Sequence, residues 1–177
     1  APNILITPSS QTVCNGIAIT TMNITNPNNV AGTTYTWTRD NTNISGIIAV
    51  GSTGTGTTIS GSLTNNTITT QTTTFTITAT APNGCFSKST ATVTVYAPLV
   101  APVISASQDV CNGQTPAPLS MTTLVSGGSG DYNYQWQQGS SSTGPWTNVG
   151  TGTTYAPPSV FFSDYYYQLI VTDNYCP

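Results

Sequence analysis

Two of the three tryptophans and all four cysteines fall into two sets of the same order, Cys14–Trp37–Cys85 and Cys111–Trp136–Cys176. Both leading cysteines sit in one tetrapeptide, Val13-Cys14-Asn15-Gly16 and Val110-Cys111-Asn112-Gly113. The tetrapeptides are 97 residues apart, the tryptophans 99 and the closing cysteines 91. Three landmarks at nearly one offset are the mark of an internal duplication with small insertions and deletions. The chain is therefore expected to hold two related domains in tandem, residues 1–97 and 98–177, each closed by its own disulfide.

Periodicity assigns those domains to the all-β class. No apolar stripe recurs at 3.6 residues, whereas short alternating runs are broken by Gly, Pro and Asn. Phe75, Ile77 and Ala79 alternate with threonines, and so do Ala91, Val93 and Val95, as in strands with one buried and one wet face. Strands are expected near 4–7, 17–25, 33–39, 47–50, 57–63, 72–80 and 87–96 in the first domain. In the second they are expected near 103–107, 119–125, 132–138, 146–149, 153–156 and 165–172. A slip in apolar phase from Ile17/Ile19 to Met22/Ile24 suggests a bulge near Thr20–Thr21. Trp37 and Phe75 are core candidates in the first domain. In the second, the row Tyr132, Tyr134, Trp136 is expected to meet the row Tyr165, Tyr167, Leu169, Val171 across the core. The linker 97–102 carries two prolines, which favours an extended, stiff join.

After Cys85 the first domain gains a final strand, whereas the second stops at Pro177. It thus lacks a counterpart, through truncation or through donation of a strand by a neighbouring chain. Either way the strand at 165–172 is expected to have an unpaired edge. The start, Ala1-Pro2-Asn3, carries neither an initiator Met nor a signal peptide, as a mature or excised fragment would.

Charge excludes several function classes. Only 4% of residues are charged, against about 25% in ordinary domains. The cations are Arg39 and Lys88 alone, so no basic patch exists for nucleic acid or a membrane surface. No apolar run is long enough to span a bilayer. With no His and no Glu, acid–base catalysis would fall to five scattered aspartates, tyrosines or one lysine. No enzyme is expected, and no cofactor.

The cysteine spacings, 71 and 65 residues, are too wide for a zinc knuckle, and no His is available. Four cysteines in a Thr-rich chain of secreted character favour disulfides. Of three possible pairings the duplicated order selects Cys14–Cys85 and Cys111–Cys176. Each would close a loop worth about 4 kcal/mol in the chain-entropy model and pin loops at one pole of its domain. The run Asp40-Asn41-Thr42-Asn43 offers oxygens to a calcium ion but lacks the Gly and closing acid of an EF-hand loop, so a turn is favoured. Gly51–Gly61 lacks the lysine and helix of a phosphate loop and reads as a hairpin. Asn23, Asn43 and Asn65 begin N-glycosylation sequons. Trp146, after Gly144-Pro145, and Tyr155 are the aromatic candidates for stacking on a glycan.

These residues also resemble a family. The strings Tyr35-Thr36-Trp37-Thr38-Arg39-Asp40-Asn41, Ile59-Ser60-Gly61-Ser62-Leu63-Thr64-Asn65, Gln71–Thr78 and Asn83-Gly84-Cys85 are similar to PKD-like repeats of Bacteroidetes surface proteins. The strings Gly127-Gly128-Ser129-Gly130, Tyr134-Gln135-Trp136-Gln137, Gly144–Val149, Tyr155-Ala156-Pro157 and Tyr165-Tyr166-Tyr167 resemble the Ig-like repeats of the same proteins. Such repeats occur in very large adhesins, including SprB-type gliding adhesins exported by the type 9 secretion system. The resemblance implies two tandem Ig-like (PKD-like) β-sandwiches of a secreted, cell-surface stalk or filament. Its partners would be neighbouring repeats and surface polysaccharide or protein. The alternatives are a carbohydrate- or protein-binding module and a subunit that polymerises by strand donation.

Overall fold

Alternating Thr and apolar residues build the two longest strands, and the rest of the first unit is arranged around them. A computed structural model describes residues 1–159 and 163–176. It divides into two compact units, Ala1–Pro98 and Leu99–Pro177, and among the described residues every regular element is a strand.

In the first unit the strands are β1 (Leu5–Thr7), β2 (Ser10–Val13), β3 (Met22–Thr25), β4 (Thr34–Arg39), β5 (Ile44–Gly46), β6 (Gly54–Thr55), β7 (Thr58–Ile59), β8 (Leu63–Asn65), β9 (Gln71–Thr80) and β10 (Phe86–Val95). A five-stranded sheet runs β2-β10-β9-β4-β6, a three-stranded one β1-β3-β7, and β5 pairs with β8. Phe75, Ile77, Ala91, Val93 and Val95 project from β9 and β10 into a core that Ile6, Met22, Ile24 and Ile59 share. Each of these side chains other than Ala91 contributes roughly 1.5–3 kcal/mol by leaving water. Trp37 is buried and meets Phe75 edge-on, ring centroids 6.1 Å apart. Its indole lies over Gly54, its cross-strand partner, where a Cβ would come within 2.4 Å of the ring. β9 and β10 are antiparallel, but β2 pairs with β10 in parallel, Val13 beside Val95.

Local expectations fail where side chains, not alternation, decide. Residues 17–21 are not a bulged strand. Ile19 N–H bonds Gly61 O and Ala18 makes a lone bridge to Ser62, and β3 begins only at Met22. The short strands β2, β5 and β8 lie at or beside positions assigned to no strand, and residues 47–50 lie outside any strand. A strand of three or four residues shows too few alternations to register as a period.

The linker is itself extended, with β11 at Ala97–Val100. The second unit continues with β12 (Val103–Ile104), β13 (Leu119–Thr123), β14 (Ser126–Gly128), β15 (Tyr132–Gly139), β16 (Trp146–Thr151), β17 (Thr154–Tyr155) and β18 (Tyr166–Asp173). β12-β13-β17 form one sheet and β16-β15-β18 another. The two aromatic rows are neighbours in one sheet and do not oppose each other across the core: Tyr134 pairs with Val171, Trp136 with Leu169 and Gln138 with Tyr167. Tyr155, on β17, supplies the opposing ring, 6.3 Å from Trp136 and 5.8 Å from Tyr167. Trp136 is fully buried and its indole N–H donates to Gly152 O, whereas Tyr134 and Tyr167 are half-buried. Among the described residues β18 closes its sheet on one side with no further strand.

Candidate functional site

The repeated tetrapeptide folds into the same loop twice, and glutamine is the reason. Gln11 donates from Nε2 to Thr20 O (2.9 Å), and its Oε1 accepts from Thr20 N–H (2.8 Å). Gln108 does the same with Ala117, at 2.9 and 2.8 Å. Each side-chain amide thus stands in for a strand, clipping both backbone groups of a residue nine positions on. Inside each clip the cysteine carbonyl accepts a turn bond, from Ile17 N–H or Gln114 N–H. Gly16 (φ 76°) and Gly113 (φ 79°) take the left-handed conformation that this turn needs. The repeat therefore begins at glutamine, Gln11-x-Val13-Cys14 and Gln108-x-Val110-Cys111, a signal present in the sequence two residues upstream of the Val-Cys-Asn-Gly tetrapeptide.

These clips fix where the cysteines stand. Cys14 follows β2, beside the end of β10, where Tyr96 N–H donates to Val13 O. Cys85 lies in the β9–β10 turn, its carbonyl accepting from Ala81 N–H, next to the start of β10. β10 has 10 residues, so the two cysteines are about 30 Å apart along it. A disulfide needs Cα atoms within about 7 Å. In the second unit Thr115, on the Cys111 loop, bonds Ser159, on the stretch leading into β18. Cys176 follows the far end of β18, a strand of 8 residues, about 26 Å from that strand's start. The expected Cys14–Cys85 and Cys111–Cys176 bridges are therefore wrong. Cys14 and Cys176 are disulfide-bonded, while Cys85 and Cys111 are exposed free thiols.

Cys176 is held in place by a carboxylate that the sequence did not single out. Asp173 is buried, and its Oδ1 accepts from Tyr175 N–H and Cys176 N–H, both at 2.8 Å. Ser129 N–H donates to Oδ2 at 2.6 Å, and the Ser129 hydroxyl donates to both oxygens. Burial works to raise the carboxyl pKa, but these bonds to Tyr175, Cys176 and Ser129 together hold it below the usual range. Gly128 (φ 58°) makes room, since a Cβ there would lie 2.2 Å from Asp173 Oδ2. The Gly127-Gly128-Ser129-Gly130 run is thus a cradle for an internal anion.

The remaining candidates are also occupied by the protein itself. The oxygens of the Asp40–Asn43 turn serve Arg39, which is buried and donates to the carbonyls of Asp40, Asn41, Ile44 and Ile48 at 2.6–3.1 Å. Asp40 Oδ1 accepts from Thr74 N–H. A guanidinium sits where a calcium ion would need those carbonyls. Among the described residues no cluster of three or more His, Cys, Asp or Glu could hold a metal.

Asn65 is 1% exposed, its amide donating to Thr69 O and Val95 O, so its sequon is closed to a glycan in the folded state. Asn23 and Asn43 are exposed. Trp146 is half-buried, its ring against Gly139 and Gly144, and Tyr155 packs on Trp136 and Tyr167. Both rings are thus only partly open to solvent.

Comparison with known proteins accounts for both units. The model of a PKD-like domain matches residues 11–99, and that of a domain of unknown function (DUF8696) matches residues 100–177. No curated protein matches the chain. A PKD-like domain with a disulfide indicates an Ig-like extracellular module, of a kind that is typically non-catalytic. Among the described residues no helix is long and apolar enough to cross a membrane. By the match over residues 11–99, this chain belongs to the PKD-like domain family.

Proposed function

We propose that the chain is a non-enzymatic spacer segment of a large secreted cell-surface adhesin or filament, which holds a contact surface away from the cell in adhesion or gliding. The parallel pairing of β2 with β10 carries this reading. The chain enters the first unit near Pro2, whose carbonyl accepts from Ser87 beside the start of β10, and leaves after Val95 at the other end. Tension across the first unit, with the disulfide of Cys14 reduced, slides β2 against β10 lengthwise. Bonds from Thr92 N–H to Ser9 O and from Tyr96 N–H to Val13 O, with the ladder between them, are then loaded together and not one after another. A surface of hydroxyls and amides, with 4% charged residues, suits a long array that must stay soluble without strong fields.

Single-molecule force spectroscopy on the chain with the disulfide of Cys14 and Cys176 reduced tests it. Ser9 and Val13 turn their carbonyls to β10, so alternation turns Val13 N–H there too and Thr12 N–H away. Val13→Pro should lower the unfolding force of the first unit well below that of Val13→Ala, and Thr12→Pro should not. Equal forces for the two Val13 variants would remove the mechanical basis of the reading.

A further inference from the structure

We propose that Cys85 and Cys111 are cross-linking points through which copies of this chain are joined end to end by disulfides. The four cysteines form two positional classes. Cys14 and Cys111 sit on the same glutamine-clipped loop. Cys85 and Cys176 each follow the strand that pairs with the tryptophan strand, β9 with β4 and β18 with β15, at the opposite end of the unit. One member of each class, Cys14 and Cys176, is disulfide-bonded, and the other member of each, Cys111 and Cys85, is an exposed free thiol. The loop that places Cys14 for a disulfide is reproduced around Cys111. The exposed thiols are therefore one of each class, unused.

Neither thiol is joined to the other cysteine of its own unit: Cys85 and Cys14 stand at opposite ends of a 10-residue strand, and Cys176 is already disulfide-bonded while Cys111 is free. Within the chain both stand exposed and unbonded to each other, so the partner is a second copy, which offers the complementary class. Linkage of Cys111 in one copy to Cys85 in the next leaves another Cys85 and Cys111 exposed, so the product can grow. The oxidant is a small or protein disulfide of the extracellular space. A thiolate first attacks it, giving a mixed disulfide and releasing one thiol. The second cysteine's thiolate then displaces the other thiol, so two protons and two electrons leave the cysteines and one S–S bond forms. The proposal rests on the spacer reading only for its oxidising compartment.

The test uses the purified full chain with oxidised glutathione as the probe, non-reducing electrophoresis and mass spectrometry of the linked peptides. The expected result is a ladder of multimers joined by Cys85–Cys111 peptides. Cys85→Ser and Cys111→Ser should each stay monomeric alone, while their mixture gives a single dimer band, roughly tenfold stronger than in either alone. Equal self-pairing of Cys85 with Cys85 or Cys111 with Cys111, a Cys85–Cys111 bridge within one chain, or a chain that ends as a glutathionylated monomer would each overturn the proposal. The force measurement above is made on the unlinked chain, so either idea can fail alone.

Discussion

Replacing Asp173 by Asn should destabilise the second unit by about 3 kcal/mol, and the reason lies in the donors around it. The carboxylate accepts from Ser129 N–H, the Ser129 hydroxyl, Tyr175 N–H and Cys176 N–H. An asparagine keeps one acceptor oxygen. If that oxygen serves Tyr175 and Cys176, the new NH2 faces Ser129 N–H, donor against donor. One charge-assisted bond is lost, about 1.5–3 kcal/mol, and a buried N–H is left unpaired, about 1–3 kcal/mol. The hydroxyl of Ser129 can rotate to accept, which keeps the total near the low end, about 3 kcal/mol. For a unit of this size, about 3 kcal/mol corresponds to a fall in Tm of roughly 10–20 °C. Scanning calorimetry at neutral pH, with near-UV circular dichroism to follow the Trp136 cluster, reads it directly.

The pH dependence has a definite sign. The folded carboxyl titrates below its unfolded value of about 3.9. The stability supplied by ionised Asp173 is therefore fully present above that value and is lost as pH falls through the folded pKa. The gap between wild type and Asp173→Asn should close as pH falls from about 5 through the folded pKa. A fall in Tm of under about 3 °C at neutral pH, the size of an ordinary surface substitution, would refute the reasoning. So would a gap that does not change with pH.

Two further outcomes follow from the same kind of accounting. Gln11→Ala and Gln108→Ala each remove a two-bond clip, so each should cost its own unit about 1–2 kcal/mol in urea denaturation. A loss confined to one unit would mean that the duplicated loops are not equivalent. Arg39→Met leaves four backbone carbonyls without their donor and frees Ile47 from its φ of 56°. Amide hydrogen exchange should show faster opening over 40–48 with the β9–β10 ladder still protected, and simultaneous loss of the ladder would show that the arginine supports the whole unit.

Much of the fold was legible before any coordinates. Threonine alternation placed β9, β10 and β4 within a residue or two, because a half-buried sheet imposes a period of two on its own sequence. The tryptophans of the Cys–Trp–Cys order, Trp37 and Trp136, are both buried, and the repeated Val-Cys-Asn-Gly tetrapeptides mark the two glutamine-clipped loops. Asn65 was different. Its sequon reads the same exposed or buried, and only its bonds to Thr69 and Val95 distinguish the two. The clips of Gln11 and Gln108 escaped notice for a similar reason, since a side chain that imitates a strand bond leaves no periodic trace.

By itself, then, the order of residues determined the all-β class, the two like Val-Cys-Asn-Gly turns and the near absence of charge, for these depend on local sequence and composition. Which cysteine can reach which was decided only by the tertiary structure. Bond formation needs sulfurs a few ångströms apart, and spacing along the chain does not say which end of a 10-residue strand a loop returns to. In the first unit the parallel register of β2 on β10 sends Cys14 to one end and leaves Cys85 at the other.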